Sequence, residues 1–182
     1  MRYQLKKPVA LIGMMGAGKT VIGKTLANAL SVPFLDSDSE IESASNMAIS
    51  EIFLRDGEAF FRTKETQVLS RLLEQGPCIL STGGGAFLLQ KNQALIKAAA
   101  TSVFLQVGAE LLWSRVRQKS GRPLLQTDNP YRTLIDLLAQ REPVYAQADM
   151  TVQAEPAVSI DHMASRILQR LLEHSETLDK VP

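Results

Sequence analysis

The run Gly13-Met14-Met15-Gly16-Ala17-Gly18-Lys19-Thr20 constrains this chain more than any other segment, because it matches the spacing G-x-x-x-x-G-K-[ST]. It also sits between two readable elements. Before it, Val9-Ala10-Leu11-Ile12 is a short apolar run suited to a buried strand. After it, Lys19–Leu30 predicts a helix with Val21, Ile22, Leu26, Ala29 and Leu30 as its apolar stripe. Strand, glycine turn and helix in that order point consecutive backbone N–H groups inward at a helix N-terminus, where the helix dipole favours negative charge. The glycines keep side chains from blocking the approach of an anion. The expected ligand is the phosphate chain of a nucleotide, held by Gly13, Gly16, Ala17 and Gly18 and on through Val21. Lys19 would reach the terminal phosphates and the Thr20 hydroxyl would take Mg²⁺. The spacing alone does not separate GTPases, ATPases and kinases.

Further along, short apolar runs alternate with helical patterns. Strands are expected at Phe34–Asp36, Cys78–Ser81, Ser102–Gln106 and Met150–Val152. Helices are expected at Glu58–Glu74, stopped by Gly76 and Pro77, at Tyr131–Gln140, and at Ser159–Glu173, with Ile160, Met163, Ile167 and Leu171 on one face. This alternation predicts an α/β fold around a parallel sheet. With 182 residues and no repeat or linker, the reading is a single domain, 1–182, whose polar tail, His174–Pro182, frays. A net charge of +1 gives no global field for nucleic acid or an acidic membrane, so any positive patch must be local. No apolar run reaches the ~18 residues of a membrane span, and Val9–Ile12 is too short for the apolar core of a secretion signal. The single cysteine, Cys78, precludes an internal disulfide and, between Pro77 and Ile79-Leu80, reads as a core residue. The expectation is a cytoplasmic monomer with no nucleic-acid or membrane partner.

Other segments narrow the chemistry. No glycine has Asp three residues before it and no Asn-Lys-x-Asp occurs, which argues against a switching GTPase. The basic stretch from Val116 to Pro130 holds Arg117, Lys119, Gly121, Arg122 and Pro123. It is either a solvated connector or a mobile lid, and arginines in a chain with a phosphate cradle favour the lid. Leu35-Asp36-Ser37-Asp38 ends a predicted strand at the sheet edge where α/β proteins bind ligands, and alternation puts Asp36 and Asp38 on one side. Asp36 would hold Mg²⁺, directly or through water, and Asp38 would orient or deprotonate an acceptor hydroxyl. The same residues would also cap a helix. Phe60 and Phe61 are core candidates, and Arg62 can pair with Glu65. Arg62 and Arg141 taken singly read as surface arginines, and Gly83-Gly84-Gly85 as a turn or as a place of close ligand approach.

Taken in order and spacing, the Gly13–Thr20 loop, Leu35-Asp36-Ser37-Asp38, Phe61-Arg62-Thr63-Lys64-Glu65, Thr82-Gly83-Gly84-Gly85-Ala86, Arg122-Pro123-Leu124-Leu125 and Arg141-x-Pro143-x-Tyr145 resemble the shikimate kinases from Val9 to about Ile167. That resemblance implies a three-layer α-β-α P-loop kinase fold like that of the nucleoside monophosphate kinases. It implies a five-stranded parallel sheet of order 2-3-1-4-5, a mobile lid at about 116–130 and a substrate-binding helical region at about 37–65. It implies transfer of phosphate from ATP, with one Mg²⁺, to the 3-hydroxyl of shikimate, on the route to chorismate and the aromatic amino acids. By the same likeness Lys19, Asp38 and Arg122 are catalytic, and Asp38 binds the shikimate hydroxyls. Arg62 and Arg141 hold its carboxylate, aided by the Gly84 N–H within Gly83–Gly85. Arg122 closes on the phosphates, Arg117 stacks on adenine, and residues near Glu155 and Pro156 line the other side of the base. The departures are Met14-Met15 and a threonine, Thr20, where many members have serine; both hydroxyls ligate Mg²⁺. The competing readings are a kinase for another anionic polyol such as gluconate, and a nucleotide-binding module without turnover.

Overall fold

The computed structural model describes residues 2–119 and 122–181; Ser120 and Gly121 of the expected lid lie outside the described residues, as do Met1 and Pro182. A first strand, β1 (Arg2–Leu5), precedes a five-stranded parallel sheet made of β2 (Val9–Ile12), β3 (Phe34–Asp36), β4 (Ile79–Ser81), β5 (Thr101–Val107) and β6 (Met150–Ala154), in the order β3-β4-β2-β5-β6. Counting the sheet's own strands, this is the order 2-3-1-4-5. β2 lies at the centre, with Val9 opposite Ile79 on one side and Thr101 on the other. All of its residues are buried, as expected of a parallel strand covered on both faces. The chain travels from β2 toward β3 on one side and later returns to build β5 and β6 on the other. The loop after β2 therefore leaves the sheet at its topological switch point, where a crevice opens.

Helices form the outer layers: α1 (Lys19–Leu30), α2 (Ser37–Ser45), α3 (Ile49–Asp56), α4 (Glu58–Leu73), α5 (Gln90–Ala99), α6 (Ala109–Val116), α7 (Pro130–Tyr145) and α8 (Ile160–Leu172). α1 packs on α8, and α4 packs on α2, α3 and α5. Gly23 lets α1 lie close to the sheet, since a Cβ there would come 2.6 Å from the Phe34 ring.

Five expectations need correction. Ile22, Leu26 and Leu30 are buried along α1, but Val21 and Ala29 are exposed. Successive helical residues point about 100° apart, so a residue next to the stripe turns away from it. For the same reason Phe61 is buried while Phe60 is 41% exposed; Ile160 shares the face of Met163 and Ile167 but, as the first residue of α8, stands beyond the core and is exposed. The helix expected to end at Gln140 runs to Tyr145 through Pro143, forfeiting one backbone N–H rather than stopping. Finally, the tail does not fray. β7 (Leu178–Val181) pairs antiparallel with β1, from Leu5 opposite Leu178 to Arg2 opposite Val181. Thr177 is fully buried with its hydroxyl 2.6 Å from that of Thr101, and Lys6 Nζ lies 2.6 Å from Asp179.

Candidate active site

The loop between β2 and α1 is wound so tightly that glycine is required. Gly16 has φ 77°, and a Cβ there would come 2.7 Å from Val116 of α6. Lys19, the first residue of α1, curls back so that Nζ donates to the carbonyls of Gly13 (2.7 Å) and Met14 (2.8 Å). Burial lowers its pKa to about 8, although Asp38 and Asp36 pull the other way. The Thr20 hydroxyl donates to Asp36 Oδ2 at 3.1 Å.

Asp36 divides its two oxygens between two tasks. Oδ1 accepts from the N–H groups of Asp38 (3.0 Å) and Ser39 (3.2 Å), capping α2, while Oδ2 faces Thr20. Helix cap and site residue are thus the same side chain. The chain turns helical at Ser37, so Asp38 reaches its place from the first turn of α2 rather than by strand alternation. Asp38 borders the same crevice, and burial, followed by the charges of Asp36 and Glu65, pushes its pKa up to about 6.

Across the crevice the glycine run after β4 is packed by side chains from several elements. Gly83 donates its N–H to Ser37 Oγ at 3.1 Å, and a Cβ at Gly83 would come 2.6 Å from Asp38 Oδ1. A Cβ at Gly85 would collide with the Arg62 guanidinium, and one at Gly84 would lie 3.6 Å from Arg141 Nη1. Arg62 is held by Glu65, Nη1 to Oε1 at 2.8 Å, and Glu65 is 1% exposed. Arg141 is 8% exposed on α7 and has no salt bridge among the described residues. One turn later the Tyr145 hydroxyl donates to the Gly84 carbonyl.

These residues line two cavities. One, of 620 Å³, is walled by Gly16, Gly18, Lys19, Thr20, Val21, Asp36, Arg115 and Glu155 among others. The other, of 500 Å³, is walled by Arg62, Glu65, Gly83–Gly85, Arg141 and the apolar Ile49, Phe53, Phe61 and Leu124. Both volumes suit small-molecule ligands. Met15, Asp38, Gly84 and Arg122 belong to both walls, so they mark the boundary across which a group could pass. Arg122 Nε is buried there with no hydrogen-bond partner among the described residues, and burial lowers its pKa. A buried guanidinium nitrogen left unpaired is a place for an anion.

Of the loop residues, Gly13 and Ala17 stand behind the cavity wall, Gly13 offering its carbonyl to Lys19 and Ala17 being 1% exposed. Arg117 is exposed at the end of α6 and does not border either cavity; Arg115 does. Arg115 Nη1 donates to the carbonyls of Gly16 (3.1 Å) and Ala17 (3.3 Å). Helical spacing was the available signal, because Leu112, Arg115 and Val116 share the face that meets the loop while Arg117 points elsewhere. Glu155 and Val158 border the nucleotide-sized cavity; Pro156 does not. Sequence reasoning also left Ser37 without a role, gave Glu65 only a pairing with Arg62, and treated Tyr145 only as part of a motif.

Comparison with known proteins points to one family. The family model described as shikimate kinase matches residues 15–172. A shikimate kinase of Cereibacter sphaeroides is 53% identical over 176 residues, 97% of this chain and 88% of that protein. One of Ruegeria pomeroyi is 51% identical over 96% of this chain and 90% of that protein. Among solved structures, the shikimate kinase of Acinetobacter baumannii in complex with shikimate superposes with a TM-score of 0.89 at 39% identity, covering 93% of this chain and 95% of that one.

Proposed function

The chain belongs to the shikimate kinase family, and on that premise we propose how its residues share the transfer of the γ-phosphoryl group of ATP to the 3-hydroxyl of shikimate. The activity is that of a phosphotransferase with an alcohol as acceptor, giving shikimate 3-phosphate and ADP on the route to the aromatic amino acids.

ATP occupies the larger cavity, its phosphates cradled by the N–H groups of the Gly13–Thr20 loop and by Lys19. Arg122 reaches the transferred group from the lid, and its partnerless buried Nε supports this. Arg115, lying against the loop carbonyls, supports a place beside adenine better than Arg117 does. Thr20 and Asp36 fit a hard divalent cation: they are adjacent oxygen donors at the phosphate cradle, and Mg²⁺ takes few protein ligands when phosphates supply the others. Bound there, Mg²⁺ would neutralise phosphate charge.

Shikimate occupies the smaller cavity. Asp38 orients the 3-hydroxyl and accepts its proton as the oxygen takes up the phosphoryl group, a task suited to a carboxylate with a pKa of about 6. Arg62, steadied by Glu65, and Arg141 take the carboxylate together with N–H groups of Gly84 and Gly85. One chain completes both cavities, which supports a monomeric enzyme. A buried, unpaired Cys78 is in keeping with the reducing cytoplasm.

The observation that carries the acceptor assignment is Arg141, a nearly buried guanidinium that faces the glycine run with no salt bridge among the described residues. Replacing it with alanine is expected to cost about 2–4 kcal/mol of acceptor affinity. The shikimate KM of Arg141→Ala should rise roughly 30- to 1,000-fold while the ATP KM holds; equal changes in both constants would remove Arg141 from the acceptor site.

A further inference from the structure

We propose that Tyr145 is a positioning residue whose hydroxyl, anchored on the Gly84 carbonyl, makes Arg141 and the glycine-run N–H groups converge on one carboxylate. The proposal rests on the acceptor assignment above.

The hydroxyl is the part of Tyr145 that needs a reason. The ring is fully buried and lies 5.3 Å from the Phe104 ring, centroid to centroid, a place that phenylalanine would fill equally well. Burial raises the phenol's pKa, so it remains a neutral donor, and the acceptor it meets is the Gly84 carbonyl. In a trans peptide the carbonyl and the following N–H point in opposite directions. Drawing the Gly84 carbonyl toward α7 therefore turns the Gly85 N–H the other way. No described group accepts from the N–H of Gly84 or Gly85, and both residues border the acceptor cavity.

Tyr145 also stands one helical turn beyond Arg141, on the same face of α7. The hydroxyl thus ties the helix that carries the guanidinium to the loop that carries the N–H donors. Two features make this tie necessary. Glycines at 83–85 leave the loop peptides free to rotate unless something holds them. Pro143, between Arg141 and Tyr145, deprives the last turn of a backbone hydrogen bond that would otherwise seat it. The neighbouring peptide already has its own anchor, the Gly83 N–H on Ser37 Oγ. Tyr145 Oη also lies 3.9 Å from Met14 Sδ in the phosphate loop, so a purely structural role would disturb both substrates alike.

Tyr145→Phe removes one oxygen and keeps the ring. Its shikimate KM should rise about five- to tenfold, the loss of one well-placed hydrogen bond, with kcat and the ATP KM within about twofold of the parent enzyme. With shikimate amide as acceptor, parent and variant should differ by less than about twofold, because a neutral amide draws little from the carboxylate pocket. Phe104→Leu, which loosens the ring's packing and leaves the hydroxyl, should lower the melting temperature without moving the shikimate KM. The proposal is overturned by an unchanged shikimate KM in Tyr145→Phe, by parallel rises in both substrates' KM, by an equal defect with the amide, or by the same KM rise in Phe104→Leu. A parent enzyme that does not phosphorylate shikimate at all would instead overturn the acceptor assignment itself.

Discussion

The two cavities are equipped to hold anionic ligands by different means. On the nucleotide side the donors are backbone N–H groups of one continuous loop, and the buried cation of Lys19 is already seated on the carbonyls of Gly13 and Met14. On the acceptor side the cations are guanidiniums brought from two helices, Arg62 on α4 and Arg141 on α7, with a glycine run between them and Asp38 from α2 opposite. Backbone donors recognise any phosphate chain, because every residue type supplies the same N–H. Side-chain donors from separate elements recognise one shape. The first site thus supplies chemistry shared by many enzymes, and the second supplies the choice of acceptor.

Asp38, common to both walls, gives the largest effect by which to test this division. Asp38→Asn should reduce kcat by about 10²- to 10⁴-fold while leaving the ATP KM within a few-fold, measured by ADP release. The pH dependence separates the two sides further. In the proposed mechanism Asp38 works as the carboxylate, so kcat/KM for shikimate should fall as the pH drops below about 6. In the same mechanism Lys19 works as the cation, so kcat/KM for ATP should fall as the pH rises above about 8. Acid and alkaline limbs that moved together for both substrates would break the division.

A smaller effect concerns stability. The pKa of Asp38 rises from 3.8 to about 6 on folding, so the folded state holds its proton more tightly than the unfolded chain does. Folding stability is then lost as pH climbs from about 4 to about 6, and the deficit stays constant above that. Asp38→Asn should therefore stabilise the ligand-free enzyme at pH 7.5 by about 1–3 kcal/mol, seen as a higher melting temperature. Smallest is Arg115→Ala, which should raise the ATP KM about three- to tenfold by removing hydrogen bonds to the loop, with the shikimate KM unchanged.

The same contrast governs how much the sequence revealed. The nucleotide side is written in eight adjacent residues, Gly13 to Thr20, between a strand and a helix, and spacing alone was enough to read it. The acceptor side is written across positions 38 to 145. Arg62 and Arg141 looked like any surface arginines until a family resemblance joined them, because burial is decided by packing that no local pattern records. The strands of the central sheet were legible, but their order came with the resemblance. The pairing of β1 with β7 was not legible, since its strands are short, half polar and at opposite ends of the chain. Asp36 and Asp38 were found for a partly mistaken reason: the chain turns helical at Ser37, and helix geometry delivers Asp38 where strand alternation was expected to. Arg117 was placed beside adenine by the resemblance alone, and Arg115 went unread because only the helical face of α6 aims it at the loop.

We propose that a phosphate cradle common to many kinases here faces a pocket built for one carboxylate-bearing polyol. Initial rates of ADP release from the purified chain with ATP and Mg²⁺, measured in parallel with shikimate, gluconate and a nucleoside monophosphate, test it most directly. Turnover should depend on shikimate and yield shikimate 3-phosphate, with the other acceptors near the background rate. Faster turnover with gluconate or a nucleotide, or tight ATP binding with no acceptor-dependent turnover, would contradict it.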